Sequence, residues 1–124
     1  MSDDIKQIEA VLQTYFDGLY EGDAGKLAAA FHETADLRSV AADGSLAVLP
    51  REKWLDWVKT RPSAQAQGLE RKDWVVTIDR SGPGTAFAKV HCQIPPRYFT
   101  DYLSLAKVGG AWKVVAKTFH TDTR

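Results

Sequence analysis

The chain has 124 residues, 44% apolar and 26% charged, the size and balance of one globular domain around one core. Its 16 Lys and Arg oppose 16 Asp and Glu with no basic run, which argues against a nucleic-acid partner and against an anionic membrane surface. A single cysteine excludes an intrachain disulfide, and no apolar run approaches the roughly 20 residues that span a bilayer.

The acidic start Met1-Ser2-Asp3-Asp4 does not read as a secretory leader, so a cytoplasmic, reducing location is expected. Ile5, Ile8, Leu12, Tyr15, Phe16 and Leu19 recur at helical spacing and predict a helix from about residue 3 to 21. Gly22 suits its stop and Asp23 the N-cap of a short second helix with Leu27, Ala30 and Phe31 facing inward. Ala35 to Val40 reads as a first strand, Asp43-Gly44 as a turn, and Ser45 to Leu49 as a second strand. Pro50 fits the first position of a third helix, which stops before Pro62 and presents Trp54, Trp57 and Val58.

Four further strands are predicted: Glu70 to Asp79, Thr85 to Ile94, Tyr98 to Val108 and Trp112 to His120. Ser81-Gly82-Pro83-Gly84, Pro95-Pro96 and Gly109-Gly110 separate them, and Cys92 reads as a small apolar filler. Sequential hairpins make an antiparallel meander whose one face needs cover, and the helices supply it. The predicted fold is α+β, a single domain over residues 1–124. Three N-terminal helices pack on a strongly curved, mainly antiparallel sheet, forming a cone with one internal pocket.

Several local motifs add to this. They are Tyr15-Phe16-Asp17-Gly18, Gly22-Asp23 and Ala30-Phe31-His32, then Ala86-Phe87-Ala88-Lys89-Val90, and then Phe99-Thr100-Asp101-Tyr102-Leu103-Ser104-Leu105. Gly110-Ala111-Trp112-Lys113-Val114-Val115 and Lys117-Thr118-Phe119-His120 complete the set. In this order and spacing they resemble the nuclear-transport-factor-2-like superfamily over nearly the whole chain, and within it the lumazine-binding-like subfamily. The resemblance implies a small organic ligand in the cone and a homodimer paired through the outer sheet face.

The same superfamily holds the ketosteroid isomerases and the SnoaL-like polyketide cyclases. Ketosteroid isomerases use a Tyr on the first helix and a protonated Asp on a late strand as an oxyanion hole, with a separate carboxylate as base. Tyr15 and Asp101 fall at the first two places. The base place, eight residues after Phe31, holds Ser39, whose hydroxyl has no basicity near neutral pH. The resemblance therefore implies binding ahead of isomerisation.

Side chains two apart share a strand face. The resemblance assigns Lys89, His91 and Gln93, then Asp101, Leu103 and Leu105, then Val115, Lys117 and Phe119 to the concave side. Buried charges need partners, so Asp101 is expected to pair with Lys89 or Lys117. The alternative is that the lysines snorkel to the rim. A slip of one residue would instead turn Val90, Cys92, Tyr102 and Ser104 inward and leave the polar cluster outside. The candidate ligand-binding set is Tyr15, Leu19, Phe31, His32, Trp54, Trp57, Lys89, His91, Asp101, Lys117 and Phe119. His120 is placed at the rim. Three scattered histidines make a poor metal site, and no phosphate loop, nucleophile elbow or paired-cysteine motif occurs, so neither metal nor cofactor is expected.

Three functions fit. One is a small-molecule binder, oriented by Tyr15, Lys89, His91, Asp101 and Lys117. The second is an isomerase, cyclase or dehydratase with His91 as base and Tyr15 and Asp101 stabilising an enolate, since imidazole titrates near neutral pH. The third is a dimeric interaction module using Trp74, Tyr102 or Trp112 on the outer face.

Overall fold

The computed structural model describes residues 3–124; Met1 and Ser2 lie outside the described residues. The elements are α1 (Asp3–Glu21), α2 (Ala24–Ala30), β1 (Phe31–Val40), β2 (Leu46–Pro50), α3 (Arg51–Thr60), β3 (Trp74–Ser81), β4 (Thr85–Ile94), β5 (Arg97–Val108) and β6 (Ala111–Thr123). The strands form one sheet in the order β2-β1-β6-β5-β4-β3. Only the β1–β6 pair is parallel, so the sheet is mixed, antiparallel at every other step. It curls without closing, and the helices cover its concave face. No helix among the described residues is long and apolar enough to cross a membrane.

The apolar stripe of α1 is buried at Ile8, Leu12, Tyr15, Phe16 and Leu19, which is what its helical spacing requires. Gly18 stands where α2 crosses: a Cβ there would lie 2.9 Å from Leu27 Cδ2. Gly22, at φ 66°, reverses the chain, and the Asp23 side chain accepts the Lys26 amide at 3.1 Å to cap α2. In α3, Trp54, Leu55 and Val58 are buried, while Trp57 is half exposed at the sheet's open end.

Several boundaries differ from the sequence reading. α2 ends at Ala30, and Phe31 is both its cap and the first residue of β1, which therefore starts four residues before Ala35. Pro50 has extended dihedrals and caps α3 from outside rather than opening it. β3 begins at Trp74 rather than Glu70; it is an edge strand, exposed except at Ile78, so no core contact extends it backwards. Pro95 and Pro96, joined by a cis bond, form the turn between β4 and β5.

One irregularity decides which side chains face inward. On β6, Ala116 pairs with Ser104 but Val114 pairs with Leu105, so Val115 is an extra residue. A bulge of one residue shifts the alternation by one. Trp112 and Val114 are buried before it; Lys117 and Phe119 take the concave face after it.

Candidate ligand-binding site

Asp101 on β5 is fully buried, and its strand neighbour across the ladder is Phe119. Lys117, two residues before Phe119, is diagonal to Asp101 on the same concave face. α1 lowers Tyr15 onto this pair. The Tyr15 hydroxyl donates to Asp101 Oδ2 at 2.5 Å and accepts from Lys117 Nζ at 2.8 Å, while Lys117 Nζ stands 3.7 Å from Asp101 Oδ2. Cys92 Sγ on β4 adds a weak contact to Oδ2 at 3.6 Å. Asp101 Oδ1 is buried without a partner among the described residues. Burial, and after it the Asp101 charge, pushes the Tyr15 phenol well above its ordinary value, so it remains a proton donor. The same two causes raise the Cys92 thiol.

The Lys117 ammonium is surrounded by aromatic faces, with ring centroids of Phe119, Tyr15, Trp54 and Phe99 at 4.8, 5.2, 5.3 and 6.0 Å. Rings at this range attract a desolvated cation. On its other side Lys117 faces a cavity of about 150 Å³. Leu19, Leu37, Leu49, Trp54, Trp57, Ile94, Phe99 and Phe119 make its apolar wall, with Thr121, Arg61 and Arg97 at the edge. A second cavity of about 120 Å³, lined by Leu27, Val58, Pro62, Ser63 and Gln67 among others, adjoins it through Leu19, Arg61, Ile94 and Arg97. The space under the helices thus holds two adjoining cavities that share four lining residues.

Of the residues singled out from sequence, Leu19, Trp54, Trp57, Lys117 and Phe119 line the larger cavity. Tyr15, Phe31 and Asp101 are buried beside it without reaching its surface; Phe31 stacks between Tyr15 and Trp54, with centroids at 5.4 and 5.0 Å. Three residues lie elsewhere. His32 turns back on its own strand, its Nδ1 against Thr34 Oγ1 at 2.8 Å. Lys89 lies over the Tyr102 ring and His91 over Trp74, both on the outer face. The expected facing of β4 is therefore corrected by one residue. Ala86, Ala88, Val90, Cys92 and Ile94 are buried, because the apolar set of an alternating strand goes to the core and the charged set to water. Val115 likewise leaves the concave set, by the β6 bulge. Trp112 is buried rather than exposed, its indole donating to Asp4 Oδ1 at 3.0 Å. His120 is exposed and pairs with Asp122. Among the described residues no group of three metal-ligating side chains occurs.

Sequence reasoning missed Leu37, Leu49, Arg61, Ile94, Arg97, Phe99 and Thr121. The β5 members were within reach: stepping back by twos from Asp101 gives Phe99 and Arg97. Arg61 follows α3 as its C-cap, and its guanidinium lies 3.8 Å from the Trp57 ring centroid.

Residues 3–120 match the model of the family described as "Putative lumazine-binding". No curated protein matches the sequence. Among solved structures, an NTF2-like protein of unknown function from Shewanella baltica OS155 is 29% identical, with TM-score 0.87, over 100% of this chain and 98% of that one. Another NTF2-like protein of unknown function, from Methylobacillus flagellatus KT, is 29% identical, with TM-score 0.85, over 99% and 95%. A ketosteroid isomerase-like protein from Erwinia carotovora atroseptica SCRI1043 is 12% identical, with TM-score 0.75, over 100% of both chains, a likeness of fold alone.

Proposed function

Since the chain belongs to the family described as "Putative lumazine-binding", with an NTF2-like fold, we propose that it binds a small organic molecule in the cavity beneath α1 and α3. The observation that carries this is the aromatic-walled cavity of about 150 Å³ with Lys117 at its floor. Apolar walls with few convergent polar groups are the usual character of small-molecule sites. Lys117 would orient the ligand; Tyr15 and Asp101 are positioning residues that fix the ammonium from behind.

Binding is favoured over isomerase or cyclase chemistry. The Tyr15 proton is engaged by Asp101 rather than offered to the cavity. His91, the base candidate, lies on the far face of the sheet, over Trp74. Native mass spectrometry of freshly purified protein tests the proposal, together with a thermal-shift panel of lumazine and small aromatic molecules. A retained mass, or a stabilised midpoint that Trp54→Ala abolishes, is the expected result. An empty protein that no compound stabilises would overturn the reading.

A homodimer through the outer sheet face is a second reading, favoured by the exposure of Phe87 and Tyr102 there. Light scattering that finds a monomer at high micromolar concentration would end it.

A further inference from the structure

The charges around the two compartments are all of one sign. Arg61, Arg97 and Lys117 line them, and no carboxylate does. Lys117 is compensated from behind by Asp101. Arg61 and Arg97 are not: among the described residues neither guanidinium has a hydrogen-bond acceptor or a carboxylate within pairing distance. Arg38, Arg51, Arg71 and Arg80 differ in this, each reaching an Asp or Glu.

The two unpaired groups are also near each other. Both line each of the two compartments, and burial, followed by the charge of Arg97, lowers the Arg61 pKa. Like charges held together without a counter-ion cost free energy that an anion between them would recover. Each guanidinium is already oriented by an aromatic face, Arg61 on Trp57 at 3.8 Å and Arg97 toward Phe99 at 5.9 Å. A planar fork fixed in this way matches the two oxygens of a carboxylate. The larger compartment, about 150 Å³, is the volume in which an engineered apolar cavity holds a benzene ring.

From these observations we infer that the site takes an aryl carboxylate, its ring against Trp54, Phe99 and Phe119 and its carboxylate between Arg61 and Arg97. This rests on the small-molecule reading above and adds the charge and size of the ligand.

Phenylacetate and its uncharged isostere phenylacetamide provide the test. Each is titrated into isotope-labelled protein while the four indole N–H resonances are followed by NMR. Trp54 and Trp57 line the cavity; Trp74 and Trp112 are internal controls. Phenylacetate should move the first two and bind at least about tenfold more tightly than the amide, the scale of one charge-assisted hydrogen bond. The Arg61→Gln/Arg97→Gln variant should lose that preference and keep amide affinity, while Arg61→Lys/Arg97→Lys retains part of it. Equal affinity for acid and amide would overturn the anion inference and leave the cavity reading standing, as would a preference that survives in the Gln variant. No movement of Trp54 or Trp57 with either compound would overturn both.

Discussion

Two buried carboxylates stand near opposite ends of α1's reach, and they are built differently. Asp4 fastens the start of the helix to the sheet: its Oδ1 accepts from the Trp112 indole at 3.0 Å and from Lys107 Nζ at 3.1 Å, and its Oδ2 lies 3.7 Å from Arg80. Every oxygen has a cation or donor, and the indole hydrogen bond, followed by that of Lys107, holds the carboxyl below its ordinary value. Asp101 crowds Tyr15, Lys117 and Cys92 onto Oδ2 and leaves Oδ1 bare. Its counter-ion is also the floor of the cavity. The first cluster is complete and faces nothing further, as a fastening should. The second keeps a charge at a cavity wall, where a ligand can use it. Buried polar groups hold a structure together when fully satisfied; left partly open they become places to bind.

The largest effect that could break this contrast is expected at Lys117. Lys117→Met leaves Asp101 as a buried charge without its cation, which costs about 3–5 kcal/mol. Denaturant unfolding measures it, and Asp101→Asn in the same chain should restore most of the loss. A single variant as stable as the native protein would mean that Asp101 does not depend on Lys117. Next is Tyr15→Phe, which strips Oδ2 of its shortest donor and Lys117 of its acceptor. The cost is about 1–3 kcal/mol, that of leaving a buried polar group unsatisfied. Smaller again is Asp4→Asn, and its size depends on pH. A carboxyl with a depressed folded pKa contributes its full stability above the unfolded value of 3.8, and loses it as pH falls through the folded pKa. The gap between native and Asp4→Asn proteins in an unfolding series should therefore be open at neutral pH and close below about pH 3.8. A gap independent of pH would show that shape, not charge, makes the fastening.

Why one cluster was legible and the other was not follows from the same chemistry. The fold was readable from helical spacing and strand alternation, and the meeting of Tyr15 with Asp101 from the family resemblance; that a buried carboxylate demands a cation called for a lysine beside them without saying which. The choice between Lys89 and Lys117 was not readable by family likeness; β4's own alternation of Ala88, Val90 and Cys92 against Lys89 and His91 held the answer. The Val115 bulge left no sign in the residues, since Val114 and Val115 are equally apolar and only the ladder shows which one is extra. Asp4 was invisible for another reason. At a helix N-terminus an acidic residue is favourable in water without any tertiary partner, so nothing in the sequence asks for Trp112.

The smallest effect falls on Cys92, whose sulfur lies 3.6 Å from Asp101 Oδ2 and 3.9 Å from the Tyr15 oxygen. It contributes little to stability, but it reports whether the two carboxylate clusters open separately. Burial and the Asp101 charge keep the thiol protonated, and the thiolate is the reactive form. A thiol reagent at pH 8 should therefore modify the native protein at least about 100-fold more slowly than the unfolded chain, because labelling waits for an opening of that rarity or greater. Tyr15→Phe loosens the packing directly over Cys92 and should speed labelling more than Asp4→Asn does. If both variants accelerate it equally in proportion to their stability loss, α1 lifts as one unit, and the fastening and the binding centre are a single cooperative structure. If Tyr15→Phe alone does so, the cavity end opens by itself while Asp4 still holds the start of the helix, which is the motion a ligand entering beneath α1 would need.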